Sequence, residues 1–132
     1  MAMSSTDVVV IRGGQVVSTS GATAADVIVE GERIAAVVAP GSAASTAAAE
    51  GARVVDADGC YVVPGGVDVH VHLQLPMSPE ATSSDTFATG TAAAAWGGTT
   101  TVIDFAGQMK GMHVRDAVEQ RLAEADGQCA ID

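Results

Sequence analysis

The chain has 132 residues, 48% of them hydrophobic and 17% charged, which suits one modest core and argues against an intrinsically disordered chain. Sixteen acidic residues against six basic ones give a net charge of −10, which works against a nucleic-acid or anionic-membrane partner, since both require a basic face. Two widely spaced cysteines, Cys60 and Cys129, make neither a disulfide framework nor a four-cysteine zinc site. They are expected as free, buried thiols in a reducing compartment. Residues 1–7 carry no signal-peptide pattern and no apolar run reaches the length of a membrane span, so a soluble cytoplasmic protein is expected.

The first half reads as strands. Val8 to Arg12 and Gln15 to Ser18 flank Gly13-Gly14, the signal of a hairpin. The same grammar recurs at Asp26 to Val38 around Gly31-Glu32, and at Arg53 to Val63 around Asp58-Gly59. Between them, Ala39 to Gly51 is rich in Ala, Ser and Gly but has no amphipathic stripe, so a surface loop is expected there.

Pro64-Gly65-Gly66 breaks the pattern, and a parallel βα grammar follows. Val67 to His72 alternates strictly as a strand. Leu73 to Ser83, with Pro76 and Pro79, reads as a loop. Ser84 and Asp85 are placed to cap a helix running to Trp96 and stopped by Gly97-Gly98, with Phe87 and Trp96 expected in the core. Thr99 to Phe105 reads as a buried strand. Val114 to Ala125 reads as a helix whose stripe is Val114, Ala117, Val118, Leu122 and Ala125, and Cys129-Ala130-Ile131 begins a further apolar element.

The residues with chemical potential are Asp68, His70 and His72. Alternate strand residues share a face, so these three line one side of the strand and Val67, Val69 and Val71 the other. Imidazoles two residues apart stand about 7 Å apart at the backbone, and their ring nitrogens can converge on one metal ion at about 2 Å. Asp68 is placed to hydrogen-bond beside them from outside the ligand set. Two histidines and an aspartate are also an ordinary polar strand face, and a zinc site normally takes at least three protein ligands. The valines facing away favour the metal reading, because they imply a strand buried on its other side, and α/β barrels carry their active sites at such strand ends. Asp104 is a weaker candidate ligand; His113, Lys110 and Cys60 read as solvated or structural. No glycine-rich phosphate loop and no Gly-x-Ser-x-Gly elbow is present.

Tyr61-Val62-Val63-Pro64-Gly65-Gly66-Val67-Asp68-Val69-His70-Val71-His72 resembles the signature of the cyclic amidohydrolases. Ser84-Asp85-Thr86-Phe87, Gly97 to Phe105 and the opening Val10 to Val17 are similar to the hydantoinase and dihydropyrimidinase branch. The resemblance implies an α/β chain in which residues 1–63 are the N-terminal part of a β-sandwich. Residues 64–132 would be the first two βα units and the start of the third strand of an incomplete, metal-dependent (β/α)8 barrel. It implies that His70 and His72 are ligands of a binuclear, usually zinc, centre. The bridging lysine, two further histidines and the catalytic aspartate would come from later strands, so no catalytic residue is expected within this chain. It places Leu75 and Met77 in a loop lining the pocket for a small cyclic amide. Dihydroorotases usually carry Arg where Gln74 stands, and an amide cannot replace a bidentate guanidinium, which favours a substrate without a ring carboxylate. Homo-oligomers, often tetramers, are usual in the family. A portion of a ring-opening hydrolase, inactive alone, is therefore expected. The alternatives are a non-catalytic remnant that associates with a full-length partner, or another cyclic amidohydrolase such as an allantoinase.

Overall fold

A computed structural model describes residues 8–78 and 80–132, and the chain divides into two compact units between Pro64 and Gly65. In the first unit, β1 (Val8–Ser18), β2 (Gly21–Glu30) and β3 (Arg33–Val38) form an antiparallel meander. The helix α1 (Ala43–Ala49) follows, and β4 (Arg53–Asp56) and β5 (Tyr61–Val62) complete a five-stranded sheet of order β3-β2-β1-β4, with β5 also on β1. Val10, Ala25, Val27, Ile28 and Ala57 form its core, small aliphatic side chains in keeping with an aromatic content of 3%.

Three local expectations give way to longer-range pairing here. Gly13-Gly14 is not a turn: β1 runs straight through it, and Ile11 to Gly14 opposes the shorter step Val27 to Ala25, a β-bulge of one extra residue. Gly13 takes the left-handed conformation, φ 80°, that such a bulge requires. The segments around Asp58-Gly59 do not pair with each other either, since β4 and β5 both run parallel to β1 along one edge. A turn closed by Cys60 N–H donating to Ala57 C=O at 2.9 Å steps the chain past the bulge. A Cβ at Gly14 would stand 2.5 Å from Val62 Cγ2 and 3.2 Å from Ala57 Cβ. Gly14→Ala is therefore expected to destabilise this unit by about 1–3 kcal/mol through overpacking, read as a lower urea midpoint with an unchanged slope.

The third difference is α1, which occupies the expected loop. Ser42 caps it, its side chain accepting from Ser45 N–H at 3.3 Å, and alanine-rich turns need little else once anchored. The anchor is Asp26, 1% exposed. Its Oδ2 accepts from Ser45 Oγ at 2.6 Å and Gly41 N–H at 2.9 Å, and its Oδ1 accepts from Gly13 N–H at 3.0 Å. Burial alone would raise this carboxyl. The bonds from Ser45, Gly41 and Gly13, with the charge of Arg12, outweigh burial and hold it below the ordinary carboxylate value. One side chain thus ties the bulge, the loop and the helix together.

The second unit contains β6 (Gly66–Val71), β7 (Pro76–Ser78), β8 (Ala81–Thr82), α2 (Phe87–Trp96), β9 (Thr99–Asp104) and α3 (Val114–Ala125). β6 and β9 are parallel neighbours, with α2 in the connection between them. Beyond β9, Asp132 N–H donates to Thr100 C=O and its own C=O accepts from Val102 N–H, the bonding of a further parallel neighbour. The expected loop after His72 contains the short antiparallel pair β7 and β8. Thr86, rather than Ser84 or Asp85, caps α2, in a reciprocal box with Thr89.

Phe87 is buried as expected, but Trp96 is 94% exposed: nine residues further along the helix is about half a turn away, on the opposite face. Ala117 is buried on α3, whereas Val114, Val118 and Leu122 of the expected stripe are exposed, because the helix turns the Ala117–Arg121–Glu124 side inward. Val67 and Val69, expected to be buried behind β6, are 58% and 64% exposed, so the residues of this unit leave that side of the strand open. Cys60 and Cys129 are free but exposed, contrary to the expectation of buried thiols. Among the described residues no helix is long and apolar enough to cross a membrane.

Candidate metal centre

The period of two in β6 brings His70 and His72 to the same side of the sheet. Their Nε2 atoms stand 3.2 Å apart, and the rings meet edge to face with centroids 5.1 Å apart. Two nitrogens held about 2.05 Å from one ion at a tetrahedral angle lie about 3.3 Å apart. The donor set and its spacing therefore fit two ligands of a single divalent ion such as zinc. Phe105, at the end of β9, packs its ring 4.5 Å from His70 and 5.1 Å from His72, an apolar wall that limits the rotamers of both imidazoles.

Asp68 shares the strand with this pair, but its Oδ1 accepts from the backbone N–H of His70 at 3.1 Å rather than from a ring. It braces the backbone of a candidate ligand. Asp104 is not directed to the histidines. Its Oδ2 pairs with Arg121 Nη2 at 2.6 Å and its Oδ1 accepts from Phe105 N–H at 2.8 Å. His113 is the cap residue of α3 and makes no side-chain capping bond. No group of three or more His, Cys, Asp or Glu able to hold a metal occurs among the described residues.

A cleft of about 290 Å³ has Gln74, Leu75, Phe105, Met109, Met112 and Arg121 among its lining; neither histidine lines it, and Phe105 is the residue it shares with the pair's surroundings. Leu75 is thus on the cleft wall, whereas Met77, 72% exposed on β7, is not among the lining residues. Gln74 sits in the left-handed region at φ 48°, its N–H donating to Asp85 C=O at 2.7 Å. That conformation is uncommon outside glycine and recurs where a functional loop is held by its surroundings.

Sequence reasoning overlooked Arg121 and Phe105. Arg121 bonds to Asp104, to Glu124 Oε2 at 2.8 Å and to Leu73 C=O, and its guanidinium lies 4.4 Å from the centre of the Phe87 ring. The one signal was its position four residues after Ala117 and three before Glu124, on the helix side that proves buried. Glu124 is held below its ordinary pKa by the bonds from Arg121 and Gln120, which outweigh burial. Its contribution to stability is therefore present above the ordinary carboxylate pKa and is lost as pH falls through the lowered value.

A polar strand face with convergent imidazoles stands at the end of a parallel βαβ unit, and the comparisons with known proteins give the family. Residues 61–126 match the model of the amidohydrolase family, and the chain belongs to that family. Over 124 residues it is 50% identical to a D-hydantoinase of Streptomyces coelicolor, covering 93% of this chain and 26% of that protein. Over 126 residues it is 40% identical to a dihydropyrimidinase of Rattus norvegicus, covering 92% and 23% respectively. The structure of a D-hydantoinase from Bacillus sp. AR9 superposes with a TM-score of 0.83 at 43% identity, over 94% of this chain and 25% of that one. The mixed α/β fold is thus shared with hydantoinase structures, and the chain spans about a quarter of the length of these relatives.

Proposed function

We propose that this chain carries the first metal-binding strand of a hydrolase that opens cyclic amide or imide rings of the dihydropyrimidine or hydantoin type. In this reading the first unit is part of a β-sandwich, and the second is the opening of a (β/α)8 barrel with a binuclear centre. The remaining ligands and the catalytic acid–base group are supplied by residues outside this chain.

The observation that carries the reading is the pair of imidazole nitrogens 3.2 Å apart on one side of β6. His70 and His72 would hold a divalent ion, zinc by the preference of imidazole. When loaded, such a centre supplies Lewis-acid polarisation of the ring carbonyl and a more acidic water. Asp68 keeps the His70 backbone in register, and Phe105 limits both rings. Leu75, Met109 and Met112 give the cleft an apolar wall, and Gln74 brings to it an uncharged amide with both donor and acceptor capacity. Arg121, also in the lining, is engaged by Asp104 and Glu124, so the cleft suits a neutral cyclic imide better than a carboxylate, in keeping with the names of the similar proteins.

The reading is tested by assaying ring opening of dihydrouracil and hydantoin by the 132-residue chain with added Zn²⁺ or Mn²⁺, alongside Zn²⁺ binding. The expected result is zinc binding that depends on His70 and His72, with no turnover above the metal-only rate. Robust turnover would contradict the placement of the catalytic group outside this chain. Zinc binding indifferent to both histidines would contradict the metal centre.

A further inference from the structure

We propose that Arg121 is a positioning residue for the histidine pair: a single guanidinium that clasps the ends of β6 and β9 and so sets where His70, His72 and Phe105 stand. The inference rests on the metal reading above for its functional meaning, but its geometry stands without a metal.

Arg121 is 13% exposed at its side chain, and its partners come from three separate segments. Nη2 donates both to Leu73 C=O, one residue beyond His72, and to Asp104 Oδ2 at 2.6 Å, one residue before Phe105. Nη1 donates to Glu124 at 2.8 Å, and the guanidinium plane lies over Phe87 at the start of α2. Its buried Nε has no hydrogen-bond partner among the described residues. A largely buried cation needs its pairing, and here the two Nη groups carry it all, so the bonds to Leu73, Asp104 and Glu124 are the ones that hold the guanidinium and its partners in place. The partners are the backbone next to one imidazole and the carboxylate next to the ring that packs against both. Asp104 completes the link by accepting from Phe105 N–H at 2.8 Å. Just past Leu73 the chain turns through Gln74 at φ 48°, a conformation that a tied Leu73 carbonyl helps to maintain. Lysine would keep the charge against Asp104 but lacks the planar fork that reaches three acceptors at once.

The test compares isotopically labelled wild-type, Arg121→Lys and Arg121→Met chains by NMR, reading ring-to-ring NOEs from Phe105 to His70 and His72. A Co²⁺ titration is followed by visible absorption, and urea midpoints report stability. Thr91→Val is the control, because it removes a buried hydroxyl bonded to Phe87 C=O and Ala130 N–H in the same unit. It should lower the urea midpoint and leave the ring NOEs as they are. Both Arg121 variants should weaken or lose those NOEs and bind Co²⁺ roughly 10- to 100-fold less tightly, the usual cost of losing a group that orients metal ligands. If Arg121→Met does not fold, Arg121→Lys decides by the same NOEs. Wild-type NOEs and wild-type Co²⁺ affinity in a folded Arg121 variant would overturn the proposal. Failure of the wild-type chain to bind Co²⁺, or equal binding after His70→Ala, would instead remove the metal reading, while the NOE comparison would still decide the clasp.

Discussion

His70→Ala is expected to weaken Zn²⁺ binding by this chain at least roughly tenfold, because it removes one of two imidazole donors from a centre that has no surplus of them. His72→Ala should do the same, and the double variant should bind no better than either single one, since a lone imidazole holds no chelate. The effect belongs to the side chains and not to the fold. Both residues are exposed, and among the described residues their rings make no hydrogen bond beyond the one between them and only the tilted ring contact with Phe105, so the urea midpoint should stay within about 0.5 kcal/mol of wild type. His113→Ala supplies the contrast, as that residue caps α3 without a side-chain bond and should leave zinc affinity unchanged. Isothermal titration of wild type and the four variants at pH 7.5 checks this. Equal affinity in His70→Ala and wild type would contradict it.

The largest expected effect on stability is at Asp26. Asp26→Ala leaves Gly13 N–H, Gly41 N–H and the Ser45 hydroxyl without their acceptor at a site 1% exposed, and a cost of about 3–5 kcal/mol is expected for breaking such a buried charged network. Asp26→Asn should cost less, because the amide oxygen keeps one or two of the bonds while its NH₂ group meets donors. The same carboxylate predicts a pH dependence. Its pKa in the folded chain lies below the ordinary 3.8, so the unfolded chain binds the proton more readily. The stabilisation is thus full above that ordinary value and is lost as pH falls through the lowered one. Urea midpoints should drop between pH 5 and pH 2 in wild type, and drop less steeply in Asp26→Asn. Parallel acid profiles for the two would contradict the assigned role.

What could be read from the chain divides along the range of the interactions. The β2–β3 hairpin at Gly31-Glu32, the strand β6 and the span of α3 follow from periods of two and 3.6 residues, and the structure shows each of them, although the valine side of β6 is exposed rather than buried. The i, i+2 spacing of His70 and His72 likewise puts both rings on one side because strand geometry leaves no other arrangement. Gly13-Gly14 looked like a turn because glycine pairs serve both turns and bulges. What decides between them is Asp26, thirteen residues on from Gly13, and the strands β4 and β5 that pair with β1. The helix α1 was hidden for a related reason: its alanines carry no stripe, and its anchor is again Asp26. Arg121 reaches a carbonyl 48 residues away, and no local pattern announces such a contact. Trp96 was misplaced by composition, since a lone tryptophan in an aromatic-poor chain invites burial although its helical phase opposes Phe87.

Histidine-selective ¹⁵N NMR during a Zn²⁺ titration tests the central claim most directly. The account predicts that the ring nitrogens of His70 and His72 shift together and saturate at one ion per chain, while those of His113 stay still. A shift at His113 of equal size, or an unmoved ring at either strand position, would contradict it.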